Sequence, residues 1–175
     1  LLMCVGQLTR LSEYLVGLDK SYEATALLGT STDTEDLHGN VIAESNVWKN
    51  LTADAVQEVL VSLRGDIEQV PPQFSAKKIK GVAMHRRARR GEFIDLKPKN
   101  IRIHELELIS MDLPLIRFRV SCSSGTYVRS LSRDIGAKLR VGAHLVELRR
   151  TSVGVFSVED AISPDQLWDN SVIEA

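Results

Sequence analysis

The chain has 175 residues, 43% of them hydrophobic and 26% charged, with 22 Lys and Arg against 23 Asp and Glu. That suits one folded domain with a sizeable core and excludes a disordered polar chain and a strongly basic protein. No apolar run approaches the roughly 18 residues a membrane helix needs.

Val5 to Val16 carries Leu8, Leu11 and Leu15 at helical spacing, with Gly17 placed to end the helix. Ser21 to Leu28 alternates Tyr22, Ala24, Ala26 and Leu28 on one side and predicts a strand. Gly29 to Gly39 is dense in Gly, Thr and Asp and predicts a loop, followed by a short strand over Val41 to Ala43. Thr52 is placed to cap a helix with Val56, Val59, Leu60 and Leu63 inward and Gly65 beyond its end. Val70-Pro71-Pro72 breaks regular structure, and residues 73–99 are basic and poor in aliphatics. They predict an excursion from the domain, with a short helix near Met84–Arg90 stopped by Gly91. Ile101 to Ile109 and Leu115 to Cys122 alternate and predict paired strands around Met111–Pro114. After a turn at Gly125, Val128, Leu131, Ile135 and Leu139 mark a helix face, with Ser124 or Thr126 as cap. Leu145 to Phe156 reads as a strand, and Ser163-Pro164-Asp165-Gln166 as a capping box opening a last helix through Leu167 and Trp168. Helices and strands mix without βαβ regularity, so the expected class is α+β with a mostly antiparallel sheet.

The charge is uneven. Residues 1–76 hold 4 basic and 11 acidic residues, whereas 77–102 hold 10 basic and 2 acidic. The basic block comprises Lys77, Lys78, Lys80, Arg86, Arg87, Arg89, Arg90, Lys97, Lys99 and Arg102. A second basic set runs through Arg117, Arg119, Arg129, Arg133, Lys138, Arg140, Arg149 and Arg150. Such clusters fit a polyanion partner or a merely solvated face, and charge alone does not separate the two. Cys4 and Cys122 are too few for a disulfide framework and neither sits in a CxxC, which fits a reducing, cytoplasmic compartment. No phosphate-binding or metalloprotease signature occurs, and His38, His85, His104 and His144 lack metal-ligand spacing and read as structural.

Three segments stand out. The first runs from Lys20-x-Tyr22 through Leu28-Gly29 to Thr32-Asp33-Thr34-Glu35-Asp36 and Gly39. The second is Pro71-Pro72-Gln73-Phe74-Ser75-Ala76-Lys77-Lys78-Ile79-Lys80-Gly81 with Ala88-Arg89-Arg90-Gly91. The third is Gly125-Thr126-Tyr127-Val128-Arg129 with Leu131, Asp134 and Gly136, continued by Leu148-Arg149-Arg150-Thr151 and Gly154-x-Phe156. The third puts an aromatic ring and a guanidinium at a helix start, a place suited to a phosphate or carboxylate and a stacked base.

The patterns KxY…LGxxTDTxDxxG, PPxxSAxKxxG…ARxG, GTYVRxLxxDxG and LRRTxxGxF, in this order, resemble the TruB family of tRNA pseudouridine synthases from the first residues to about Ile162. The resemblance implies a pseudouridine synthase fold with a partial catalytic domain over 1–162, a basic thumb-like insertion at about 70–99, and the start of a C-terminal segment at 163–175. It implies isomerisation of uridine-55 in the T-arm of tRNA, with no metal or organic cofactor, by a monomer with no membrane association. The base must leave its stack to react. Residue by residue, Tyr22 matches the tyrosine that stacks on the flipped base and has been considered for proton removal from C5. Arg129 matches the arginine that pairs with the nucleophilic aspartate, Tyr127 a substrate-contacting tyrosine, and Leu148 a contact to the base. Lys77, Lys78, Lys80, Arg86, Arg87, Arg89 and Arg90 would meet RNA phosphates, and Lys20 would be structural or face phosphate. His85 and Phe74 stand where tyrosine is common in the family.

The family's nucleophile lies in a G-x-L-D-P-x-A-x-G motif just upstream of a stretch matched by Leu1-Leu2-Met3-Cys4-Val5-Gly6-Gln7-Leu8-Thr9-Arg10. We therefore expect a fragment truncated at the N-terminus, inactive as it stands, with Arg129 facing an empty or solvated pocket. Asp19, Asp33 and Asp36 belong to other motifs and are not candidates for the nucleophile. The competing readings are a non-catalytic RNA-binding or tRNA-folding protein, a guide-RNA-dependent relative, and a purely structural domain.

Overall fold

In a computed structural model, which describes residues 2–75, 78–79, 82–88, 90–92, 94–163 and 165–168, the chain opens with a 3-10 turn over Gly6–Leu11. A short helix α1 (Ser12–Val16) leads into β1 (Lys20–Leu28). A hairpin of β2 (Thr30–Thr32) and β3 (Val41–Glu44) follows, then α2 (Ala53–Ser62) and β4 (Gly65–Gln69). Before the next sheet strand lie two short strands, β5 (Lys78–Ile79) and β6 (Val82–Ala83), and a helix, α3 (Met84–Ala88). The chain then runs through β7 (Lys99–Asp112), β8 (Leu115–Cys122), α4 (Val128–Lys138), β9 (Ala143–Val153) and β10 (Phe156–Ser157), and a 3-10 turn over Asp165–Trp168.

Six strands form one sheet in the order β10-β9-β1-β8-β7-β4, every neighbouring pair antiparallel. Period-two alternation makes it one-sided. Ile116, Phe118, Val120 and Cys122 of β8 are buried, while Arg117 and Arg119 between them are exposed. Ala24, Ala26 and Leu28 of β1 share the buried face. The small alanines at the sheet centre leave room for helices. α2 contributes Val56 and Leu60, with Leu63 just beyond its end, and α4 contributes Val128, Leu131 and Ile135, followed by Leu139. Each large side chain so buried stabilises the fold by about 1.5–3 kcal/mol. On the bare face Glu23 accepts from Arg117 and Arg119 at 2.7 and 3.1 Å, which neutralises part of the second basic set.

Several expectations hold. Thr52 caps α2 by accepting from the Ala55 amide, and Ser163 and Gln166 form the reciprocal capping box. Others need correction. The N-terminal helix splits into a 3-10 turn and a single α-turn, leaving Leu8 and Leu11 exposed. The Gly29–Gly39 loop begins as a strand, because Thr30–Thr32 pairs with Val41–Glu44. β4 was not expected from the pattern Gly65-Asp66-Ile67-Glu68-Gln69, whose only apolar residue is Ile67. The final strand breaks at Gly154, whose positive φ of 54° turns the chain from β9 into β10. The basic excursion is not wholly solvated: Met84, Ala88 and Leu96 are buried outside the main core cluster.

Candidate functional site

The start of α4 gathers the polar groups. Tyr127 is its N-cap residue, yet neither Ser124 nor Thr126 caps the helix; Thr126 Oγ1 donates to Ser123 O and Ser124 Oγ to Val16 O. Arg129, in the first turn, donates from Nη1 to Asp36 Oδ2 at 2.7 Å and to Thr34 O at 3.1 Å, and from Nη2 to Phe74 O at 2.7 Å. The expectation of an empty or solvated pocket around Arg129 is therefore wrong. A carboxylate from the TDTED loop fills it, and the carbonyl of Phe74, at the root of the basic excursion, closes it from the other side.

The loop is built to hold that carboxylate still. Asp36 Oδ1 accepts from Thr34 Oγ1 at 2.7 Å and from the His38 amide at 3.0 Å, and Thr32 Oγ1 donates to Asp36 O. Burial on its own would raise the Asp36 pKa. The donors Thr34, His38 and Arg129 outweigh it and hold the carboxyl below its usual range. Asp33 secures the loop's exit by accepting from the Asn40 amide and side chain at 2.9 and 3.1 Å. Glu35, at a positive φ of 62°, accepts from Ser130 Oγ at 2.6 Å and pairs with Arg133, one turn further along α4. Burial pushes the Glu35 carboxyl up against the pull of Ser130 and Arg133.

The sheet supplies the apolar side. Tyr22 pairs with Val120 of β8 and Arg150 of β9, and Ala24 pairs with Leu148. Partners in antiparallel strands project to the same face, so Tyr22, Leu148 and Arg150 lie on the core face of the sheet. Leu148 is 48% exposed, so it is not a core leucine. A bridge from Asp36 to Leu145 fixes the TDTED loop to β9 three residues before Leu148. Burial raises the Tyr22 phenol, with Cys122 adding to the rise and Arg150 opposing it, so the hydroxyl is protonated at neutral pH. Lys20 donates to Val16 O and Leu18 O, a structural role.

The basic block is only partly within the described residues. Lys77, Lys80 and Arg89 lie outside them, and Lys78 is described only by its backbone in β5. Arg86 and Arg90 are exposed, whereas Arg87 pairs with Glu92 at 3.3 Å. Gly91, at φ 74°, follows α3 as the sequence suggested. The second basic set is not one surface: Arg117 and Arg119 are on the bare face, and Arg133 pairs with Glu35 and Asp134. Sequence reasoning passed over Asp36 and Gln69. Asp36 sits in a motif already noticed, and its pairing with a distant arginine was the unread signal. Gln69 stands at an inward position of a strand that sequence reasoning did not find.

The antiparallel sheet with helices on one face, and the arginine–carboxylate pair at the start of α4, belong to a pseudouridine synthase fold, as the solved neighbours show. A solved chain titled as part of a Cbf5-Nop10-Gar1 complex superposes with a TM-score of 0.64 at 26% identity, covering 96% of this chain and 42% of that one. One from an H/ACA ribonucleoprotein bound to a substrate RNA containing 2′-deoxyuridine gives 0.64 at 25%, covering 97% and 39%. The N-terminal domain of the TruB family of pseudouridylate synthases matches residues 1–128, and the tRNA pseudouridylate synthase B C-terminal domain matches residues 129–174. The chain belongs to the TruB family. It is 43% identical over 169 residues to the tRNA pseudouridine synthase B of Francisella tularensis subsp. novicida and 44% identical to that of Francisella philomiragia. These alignments cover 97% of this chain and 56% of each relative, so the chain spans about half the length of the curated relatives it matches.

Proposed function

We propose that the protein isomerises uridine-55 in the T-arm of tRNA to pseudouridine, and that the 175 residues alone bind the RNA without turning it over. The pairing of Arg129 with Asp36 carries this reading. A guanidinium has five N–H donors. Asp36, Thr34 and Phe74 use both Nη nitrogens without using all of those donors. A second carboxylate, the nucleophilic aspartate of the G-x-L-D-P-x-A-x-G segment, can be met by the donors left over and kept ionised.

The reaction breaks the C1′–N1 bond, turns the uracil and joins C1′ to C5. C5 gives up its proton and N1 gains one, so substrate and product are isomers. Tyr22 and the exposed Leu148 suit the two sides of a flipped base. Burial raises the Tyr22 phenol above its ordinary range, so stacking suits its resting form better than proton removal does. The exposed Arg86 and Arg90 suit phosphate contacts that position the RNA. The bacterial relatives named tRNA pseudouridine synthase B support tRNA as the substrate.

The test uses tRNA transcript tritiated at uridine C5, mixed with this chain or with full-length protein carrying the aspartate segment. Full-length protein releases tritium, and a transcript with cytidine at position 55 releases none. This chain binds the transcript but releases nothing. Release unaffected by the change at position 55, or no release from full-length protein, overturns the reading.

A further inference from the structure

Gln69 is a 2% exposed side chain with no place in the chemistry above. It is the last residue of β4, paired with Lys99, and Pro71 and Pro72 follow it into the basic excursion. Its amide makes two hydrogen bonds to one residue 58 positions away. Oε1 accepts from the Tyr127 amide at 2.8 Å, and Nε2 donates to Tyr127 O at 3.1 Å.

Tyr127 is also the N-cap residue of α4, and its own side chain makes no capping hydrogen bond. A backbone N–H and C=O gripped together by one planar amide cannot rotate about the adjoining torsions without breaking a bond in a buried site, where a lost partner costs the full desolvation of the group. The first two turns of α4 are held by the same stretch: Arg129 donates to Phe74 O at 2.7 Å, and Arg133 to Val70 O at 3.1 Å. Residues 69–74 thus brace one side of the helix start, while Asp36 and Glu35 brace the other.

We infer that Gln69 is a positioning residue for uridine isomerisation: its amide fixes the Tyr127 peptide and, through it, the aim of Arg129. The inference rests on the function proposed above. It requires both a donor and an acceptor at position 69. Leucine or methionine cannot supply the pair, and an ionised glutamate offers only acceptors, one of which would face the Tyr127 carbonyl.

The test uses full-length protein with tRNA transcript, and wild-type turnover is measured first. If wild type does not turn over, the functional reading fails, whatever the variants do. Gln69→Met is expected to lower kcat at least about tenfold, as for a misaimed reacting group, with KM for tRNA nearly unchanged. In an Arg129→Lys background the same change is expected to lower kcat less than about twofold, because the two residues act as a unit. Gln69→Glu is expected to recover turnover relative to wild type as pH falls, since a protonated carboxyl restores the donor–acceptor pair. An unchanged kcat in folded Gln69→Met protein makes the residue merely structural, and a full additive loss in the Arg129→Lys background removes the path through Arg129. Should Gln69→Met not fold, the Gln69→Glu pH profile decides: one parallel to wild type overturns the inference.

Discussion

Asp36 and Arg129 are 93 residues apart in the chain and meet at 2.7 Å. Each is held by more than the other. Asp36 takes donors from Thr34 and His38, and Arg129 reaches the carbonyls of Thr34 and Phe74. The pair is therefore anchored at both ends. An arginine fixed on one carboxylate before substrate arrives needs little rearrangement to steady a second.

Replacing Asp36 by asparagine in full-length protein should lower turnover about a hundredfold, the loss expected when a reacting group is misplaced by about 1 Å. tRNA binding should change little, because the pair is not among the exposed cations. Single-turnover kinetics beside a filter-binding isotherm separates the two effects. An equal loss in both would make Asp36 a binding residue instead.

The same substitution has a pH signature. The folded-state pKa of Asp36 lies below its ordinary value, so its stabilisation is fully present above about pH 4 and fades as pH falls through the depressed value. The side chains remain about a quarter exposed, at 25% and 23%, so solvent screening keeps the pair near about 1 kcal/mol. Urea unfolding of wild type and Asp36→Asn at pH 7 and pH 3 should show the difference shrinking at pH 3. A difference that grew on acidification would reverse the assigned shift.

Leu148→Ala offers a contrast between site and core. A side chain 48% exposed packs little, so its loss should change stability by no more than about 0.5 kcal/mol. Turnover should fall at least about tenfold if the leucine meets the base. Phe118→Ala, at a fully buried position, should cost about 3–5 kcal/mol. Thermal melts with turnover measured on the same samples decide the matter; a stability loss for Leu148→Ala near that of Phe118→Ala would return it to the core.

The sheet was legible wherever one face is buried. Ile116, Phe118 and Val120 alternate with arginines, and Tyr22, Ala24, Ala26 and Leu28 alternate in β1, because the pleat forces it. β4 was not legible, since Gly65 and Gln69 take two of its three inward positions and leave Ile67 as the only hydrophobic signal. The cap of α4 was misread for a related reason: Gln69 arrives from 58 residues away, and local rules consider only Ser124 and Thr126. Motif resemblance singled out Tyr22, Arg129 and Leu148 in sequence. The partner of Arg129 was missed, because a side chain's nearest charge is a property of the folded chain.

Arg86 and Arg90 are exposed, but Arg87 is tied to Glu92. Replacing Arg86 and Arg90 by alanine should weaken tRNA binding and flatten the dependence of log affinity on log salt by roughly 0.7–0.9 for each phosphate left without its cation. Arg87→Ala alone should change the slope less. Affinity measured across a salt series tests this, and an unaltered slope in the double variant would place the RNA elsewhere.

Gly39→Ala tests the TDTED loop without touching a charge. An added Cβ would press on Thr34 Oγ1 and lie 2.5 Å from Asp33 Oδ1. Both atoms are already engaged, Thr34 Oγ1 with Asp36 and Asp33 Oδ1 with the Asn40 amide. The loop must open to admit the methyl, at a cost of about 1–3 kcal/mol for overpacking. Asp36 is then deprived of one of the donors that hold it low, and Arg129 of its fixed partner. The expected result is a full-length protein that still binds tRNA, turns over slowly, and exchanges the His38 and Asn40 amide hydrogens faster than wild type. Unchanged exchange at both amides together with normal turnover would mean the loop absorbs the methyl without releasing Asp36, and that its internal bonds do not set the position of Arg129.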